Sequence, residues 1–221
     1  LSLYADDCSI WTSGKDAGKI FDKMQTYLKE VDQVLTDWGF KISAAKSVSI
    51  LFTQTRTISE AAERRKLDIG GITLPKETVV RFLGIVFDQG LNWRAHIKET
   101  AKKAEKRLNV LRAVTGLKWG LRRNSLLMLY RATIRSIIDY GSEAFNQTTA
   151  TIKKPLDTIQ RRALLIVTEA LKCTSLASLQ VDCCEMPLDL RREQQTALYA
   201  IRTRQLQGHP SREIYFPWPS D

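Results

Sequence analysis

Two carboxylates stand side by side near the start of the chain, in the stretch LSLYADDCSIW. Asp6 and Asp7 repel one another, and aspartate is disfavoured in strands. Neighbouring side chains on a strand point to opposite faces, so adjacent carboxylates can serve one site only where the chain turns. The pattern predicts a strand over residues 1–4, a tight turn over 5–7 and a strand over 8–11. Hard oxygen donors suit Mg2+, which is usually held by one or two carboxylates together with substrate phosphates. Two such ions about 3.5–4 Å apart can activate an attacking hydroxyl and stabilise a leaving oxygen. Taken alone, the pair is weak evidence, because exposed acidic turns are common and account for most such pairs.

The elements that would hold this turn can be read from spacing. Phe21, Met24, Leu28, Val31, Leu35 and Trp38 recur at intervals of three and four, an apolar helical stripe. Asp16 suits its N-cap and Gly39 its end. Val48, Ile50 and Phe52 alternate as in a strand. Residues 54–66 are polar and predict a loop or short helix. LDIGGITL (67–74) predicts a hairpin turning at Gly70–Gly71, and VVRFLGIVFD (79–88) predicts one further strand. From about residue 93 to 207 the texture becomes helical. Ile97, Ala101, Ala104, Leu108, Leu111 and Val114 mark one apolar face; Leu126, Leu129, Thr133, Ile137 and Tyr140 mark another. Residues 155–171 and 188–206 predict two more helices. Residues 208–221, with three prolines, predict a linker or tail. The fold class expected is α+β, with a mixed part over 1–92 and an all-helical part over 93–207.

The chain has 221 residues and a net charge of +10, with a pI near 9.6. Twelve lysines and arginines and only two acids, Glu99 and Glu105, lie between residues 94 and 135, so this segment carries the whole excess. Such a run is often a solvated helix face. Its concentration over two helices favours a polyanion, because neutralising a phosphate backbone releases counterions. No apolar run approaches the ~20 residues that span a bilayer, and the basic helices lack a large aromatic face for a membrane surface. Cys8, Cys173, Cys183 and Cys184 have no zinc-ligand spacing and read as reduced thiols of an intracellular protein.

YADD between two short apolar strands resembles the catalytic box of reverse transcriptases. KISAAKSVSILFT (41–53) after DWGF resembles the following block of non-LTR, LINE-type retrotransposon enzymes. RFLGIVFDQGLNWRAHI (81–97) is similar to their primer-grip block and thumb entry. LYRATIRSIIDYGSEAF and LDTIQRRALLIVTEAL resemble thumb and post-thumb helices, with the I/jockey-like groups fitting best. One departure is at ISAAK, where Ser43 and Ala44 stand in place of the asparagine and proline of many relatives.

The resemblance implies an RNA-directed DNA polymerase, a nucleotidyltransferase working with two Mg2+ ions on an RNA template, a DNA primer and dNTPs. It implies Asp6 and Asp7 as metal ligands. Tyr4 and Ala5 would lie beneath the primer end or incoming nucleotide, and Lys46 beside the leaving pyrophosphate. Phe82, Leu83 and Gly84 would form the primer grip. Lys98, Lys102, Lys103, Lys106, Arg107, Arg122 and Arg123 are the expected nucleic-acid contacts. His96 reads as a structural histidine, and Trp38, Trp93 and Trp119 as core residues. The resemblance also implies a third catalytic aspartate, fingers and usually an endonuclease domain upstream of residue 1. On that reading the chain is a C-terminal palm and thumb fragment, inactive alone, of a protein working in cytoplasm and nucleus. The alternative is a non-catalytic basic nucleic-acid-binding helical module derived from such an element.

Overall fold

A computed structural model describes residues 2–55, 65–116 and 119–206. Leu1, residues 56–64 of the expected loop and the 208–221 tail lie outside them. The chain divides into two compact units, Leu1–Asn92 and Trp93–Asp221. The fold is mixed and mostly helical: among the described residues the first unit holds three antiparallel hairpins and a long helix, and the second is built of helices.

In the first unit, β1 (Ser2–Tyr4) pairs with β2 (Asp7–Ser9), with Tyr4 opposite Asp7. The turn is therefore the two residues Ala5 and Asp6. Asp7, expected within the turn, instead opens β2. Helix α1 (Ala17–Asp37) begins where the Asp16 carboxylate accepts the Gly18 N–H at 2.8 Å. It buries Phe21 and Leu28, with Met24 packed beside them. The stripe stops short of Trp38, which sits at the C-cap 77% exposed. Gly39, at φ 78°, follows it.

The glycine hairpin forms as expected: β3 (Asp68–Ile69) pairs with β4 (Ile72–Thr73) across Gly70 (φ 55°) and Gly71 (φ 79°). Two positive φ values define a type I′ turn, which glycine enters without steric cost. Leu67, Ile69 and Leu74 then close over Phe21 and Leu28 as a small core.

Two expectations fail here. Residues 48–52 form no regular strand; Ser49 makes a single parallel bridge with Lys76. Ser49 N–H donates to Pro75 O at 2.9 Å, and Pro75 has no N–H with which to extend the ladder. The single strand over 79–88 is a hairpin, β5 (Val79–Phe82) and β6 (Ile85–Asp88), turning at Leu83 (φ 46°) and Gly84 (φ 80°). Leucine is foreign to the first place of such a turn, which is why the sequence pattern runs straight through it.

In the second unit, α2 (Arg94–Ala113) buries Ile97, Ala104, Leu108 and Leu111, the expected face. Helix α3 (Arg123–Tyr130) runs through a π turn (Arg131–Arg135) into α4 (Ser136–Asp139). Its fully buried residues are Leu126, as expected, with Tyr130, Ile134 and Ile138; the expected Leu129 and Ile137 are half-buried against the same core, and Tyr140 is exposed. Residues four apart drift about 40° per step on a 3.6-residue helix. The wider π turn takes up that drift and keeps the four on one face. After α5 (Ser142–Phe145) comes α6 (Ala150–Thr168), which starts five residues before the expected 155 and carries Pro155 internally. Its first turn is anchored by Lys153 Nζ, which donates to Asn146 O at 2.6 Å. It ends because Glu169 turns left-handed, at φ 55°. Helices α7 (Leu176–Asp182) and α8 (Leu188–Gln205) complete the unit. Among the described residues no helix is long and apolar enough to cross a membrane.

Candidate functional site

The acidic tip is shaped by one backbone outlier. Ala5 adopts φ 52°, a left-handed conformation that costs an L-residue roughly 1–2 kcal/mol. Glycine would relieve it, yet alanine stands there. Tyr4, Asp6 and Asp7 are exposed around it. The donors of Asp6 and Asp7 are carboxylate oxygens, the chemistry that a hard divalent cation prefers. Among the described residues no group of three His, Cys, Asp or Glu side chains forms a cluster able to hold a metal ion. Asp6 and Asp7 can therefore supply part of an ion's shell, with the remaining oxygens coming from elsewhere.

Lys46 lies on a compact turn: its N–H donates to Ser43 O at 3.0 Å, and Ser47 N–H donates to the same carbonyl at 3.1 Å. Ala44 is buried beneath the turn while Lys46 is exposed. The departure at Ser43–Ala44 thus still yields an ordered turn. Phe82, half-buried, and the exposed Leu83 and Gly84 sit at the tip of the β5–β6 hairpin. The expected residues of the first unit thus lie on three elements: two hairpin tips and one turn. The hairpins are separate two-stranded sheets. Leu83, like Ala5, is a non-glycine residue held at positive φ. Backbone strain of this kind concentrates at functional sites.

The basic residues of the second unit divide into two groups. Arg123 is engaged internally: it pairs with Asp182 Oδ2 at 2.7 Å and donates to Asp182 O at 2.6 Å. The Asp182 partnership holds its guanidinium above its usual range. Arg131 and Arg135 close on Glu185, at 2.6 and 3.0 Å, and the Glu185 side chain is 1% exposed. Lys103 pairs with Glu99 one turn before it, at 2.9 Å. Lys98, Lys102 and Lys106 follow each other at intervals of four on the side of α2 opposite its buried face; Arg107 lies about 100° further round the helix, toward the flank of that face, and all four are exposed. Arg122 is exposed at the α3 N-cap, and Lys118 lies outside the described residues. The exposed lysines at intervals of four thus form a stripe on a rigid helix, with further exposed basic residues, Arg107 and Arg122, outside it.

The aromatic expectations are half met. Trp93 packs against the helical core. The His96 ring is buried beside Phe145, centroids 5.3 Å apart, the structural role expected of it. Trp38 and Trp119 are exposed rather than in the core. The sequence reading missed the polar centre of the helical unit. Gln160 is fully buried, donating to Tyr130 Oη at 3.2 Å and accepting from Gln180 at 2.8 Å. Only glutamine at an otherwise apolar helical position signals it. The four cysteines are thiols without partners in disulfides.

The chain is 22% identical over 212 residues to the Retrovirus-related Pol polyprotein from type-1 retrotransposable element R1 4 of Nasonia vitripennis, covering 90% of this chain and 54% of that protein. It is 24% identical over 175 residues to the Probable RNA-directed DNA polymerase from transposon BS of Drosophila melanogaster, covering 76% and 18%. It is 20% identical over 164 residues to the RNA-directed DNA polymerase from mobile element jockey of Drosophila funebris, covering 74% and 17%. The chain thus spans about half the length of the first and under a fifth of the others. No protein-family model and no solved structure matches it. The chain is a distant homologue of non-LTR retrotransposon reverse transcriptases over most of its length.

Proposed function

We propose that this chain forms the second half of the palm and the thumb of an RNA-directed DNA polymerase. Asp6 and Asp7 hold part of a Mg2+ site, and the α2 stripe of Lys98, Lys102 and Lys106, with Arg107 on the helix flank, tracks the template–primer backbone. The observation that carries the reading is the strained acidic tip, Ala5 at φ 52° beside Asp6 and Asp7, in a chain aligned with RNA-directed DNA polymerases. Bound Mg2+ would supply charge stabilisation for the attacking and leaving oxygens. The protein's own part is to present the two carboxylates, to set Lys46 as a positive charge near the departing phosphates, and to place the Phe82–Gly84 tip against the primer. Lys103 and Arg122 add to the basic surface, whereas Arg123 serves it only by releasing Asp182.

A second reading, a nucleic-acid-binding module without catalysis, is favoured by the lack of a three-ligand group among the described residues. Both readings require binding, so the tip decides between them. The chain is loaded with an RNA–DNA hybrid and titrated with Mn2+ while amide signals are followed by NMR. Broadening confined to residues around the tip, and lost in Asp6→Asn and Asp7→Asn, supports the polymerase reading. Equal broadening in the asparagine variants overturns it. Primer extension by the 221-residue chain alone should be undetectable, and robust extension would show that two carboxylates suffice. Lys98→Gln, Lys102→Gln and Lys106→Gln together should reduce the log–log salt slope of hybrid binding by about 2–3. An unchanged slope would show that the stripe faces only solvent.

A further inference from the structure

Helix α8 is amphipathic in the reverse sense. Toward its own unit it buries Leu188 at its start and beyond it turns mostly polar groups: Arg192 and Thr203 are buried, and Gln195 Oε1 accepts from Ser142 Oγ at 2.6 Å. Thr196 Oγ1 accepts from Asn146 Nδ2 at 3.3 Å, and Arg191 Nε donates to Asp139 at 2.6 Å. Toward solvent it turns Leu190 and Ile201, each 51% exposed, and Leu198, 44% exposed. With Ala197, these fall within about 100° of the helix circumference. A helix docked by hydrogen bonds on one side gains nothing from three large apolar side chains in water on the other.

The flank of this stripe indicates what covers it. Glu193 and Arg204, both exposed, lie within about 20° of one another around the helix and about 16 Å apart along it. They are spaced evenly about a point near Leu198–Tyr199. If a second α8 lies antiparallel across the stripe, with a two-fold axis at that point, Glu193 of each copy meets Arg204 of the other. Leu198 meets its own counterpart near the axis. Self-complementarity of this kind is what an isologous interface demands.

We infer that the exposed face of α8 is a self-association surface on which a second copy of this chain docks antiparallel, apolar stripe to apolar stripe, with Glu193 and Arg204 paired across the axis. A single helix pair sits at the small end of specific interfaces, so the dimer is weak and concentration-dependent.

Analytical ultracentrifugation of the full chain over a hundredfold concentration range should show a reversible monomer–dimer equilibrium. Ile201→Lys should weaken it by about tenfold or more, with an unchanged melting temperature because the side chain is exposed. Glu193→Arg and Arg204→Glu should each weaken it. An equimolar mixture of these two variants should recover the parental affinity, since each mixed dimer then carries two matched pairs. That recovery is specific to an antiparallel second copy. A chain that stays monomeric throughout means that a different partner covers the stripe, and overturns the inference. A dimer that survives Ile201→Lys, or a mixture that fails to recover, overturns it equally.

Discussion

In the helical unit Leu108, Leu111, Leu156 and Leu164 are 0% exposed, whereas among the described residues of the hairpin unit the best-buried apolar side chain, Leu74, keeps 5%. Among its described residues the hairpin unit holds one cluster of five buried residues, Phe21 and Leu28 with Leu67, Ile69 and Leu74, while Leu3, Tyr4, Trp11, Trp38 and Phe40 lie exposed. Two-stranded hairpins are marginal on their own, and each here has its own turn and its own register. The residues that resemble a catalytic site therefore sit on the weakly packed half. The residues that resemble a nucleic-acid grip sit on a helix locked into a dense core. Sites that must close or tighten on a ligand are commonly drawn from the low-stability end of a molecule. A rail for a phosphate backbone works best rigid.

The largest expected effect tests that contrast. Leu108→Ala should destabilise the helical unit by about 3–5 kcal/mol, since a fully enclosed leucine leaves a cavity that its neighbours cannot fill. Leu28→Ala in the thin core of the hairpin unit should cost about 1–2 kcal/mol, because solvent and neighbouring side chains can relax into the space. Denaturant unfolding followed by separate probes in each unit measures both. Equal losses would mean that the two cores are equally tight.

Next in size is Glu185→Ala. It removes the acceptor of Arg131 and Arg135, both on the π turn. Stranding charges beside a buried site can cost 3–5 kcal/mol, but these guanidiniums are partly exposed and can turn to water, so about 2 kcal/mol is expected. Glu185→Gln, which keeps the shape, should cost less. If the alanine variant melts with the parent, the clamp on the π turn contributes nothing.

The same contrast explains what could be read from sequence. Helix α1 with its Asp16 cap, the Gly70–Gly71 hairpin, the buried face of α2 and the extent of α8 all follow local rules: capping, paired glycines, a 3.6-residue period. The misread elements are those where tertiary structure overrode such rules. Leu83 occupies a turn position with no sequence signature. The 126–140 segment buries residues at a strict spacing of four, which its π turn keeps in line. Residues 48–52 alternate correctly but face Pro75, which cannot continue a ladder. For the candidate site, residue types and order pointed to Asp6, Asp7 and the basic run. The strain at Ala5 and the diversion of Arg123 to Asp182 depend on geometry that no spacing encodes.

A smaller effect should follow from relieving the tip. Ala5→Gly removes a positive-φ penalty but adds backbone entropy to the unfolded chain, so a net gain of about 0.5–1 kcal/mol is expected. If the strain at Ala5 holds the carboxylates in place, the variant should melt higher while Mn2+ broadening at Asp6 and Asp7 weakens. Higher stability with unchanged broadening would separate the strain from metal presentation. Lower stability would show that the left-handed conformation is not strained in this context.

The smallest expected effect concerns pH and the helical unit. Asp157 lies half-buried on α6, and burial raises its carboxyl above the usual range, with Arg192 offsetting part of the shift. The folded chain therefore binds this proton at a higher pH than the unfolded chain does. Stability falls with rising pH wherever the folded state holds more protons. The contribution of Asp157 is therefore least favourable at neutral pH and improves as the pH falls through its raised value toward about 3.9, the ordinary aspartate range. Asp157→Asn carries no such proton. Melting temperatures of parent and variant at pH 7 and pH 4.5 read the difference directly: the parent should gain on the variant upon acidification. A parent that loses ground instead would show that Arg192 holds the carboxylate charged. The helical core would then stabilise an ion pair at that place rather than penalise a buried acid.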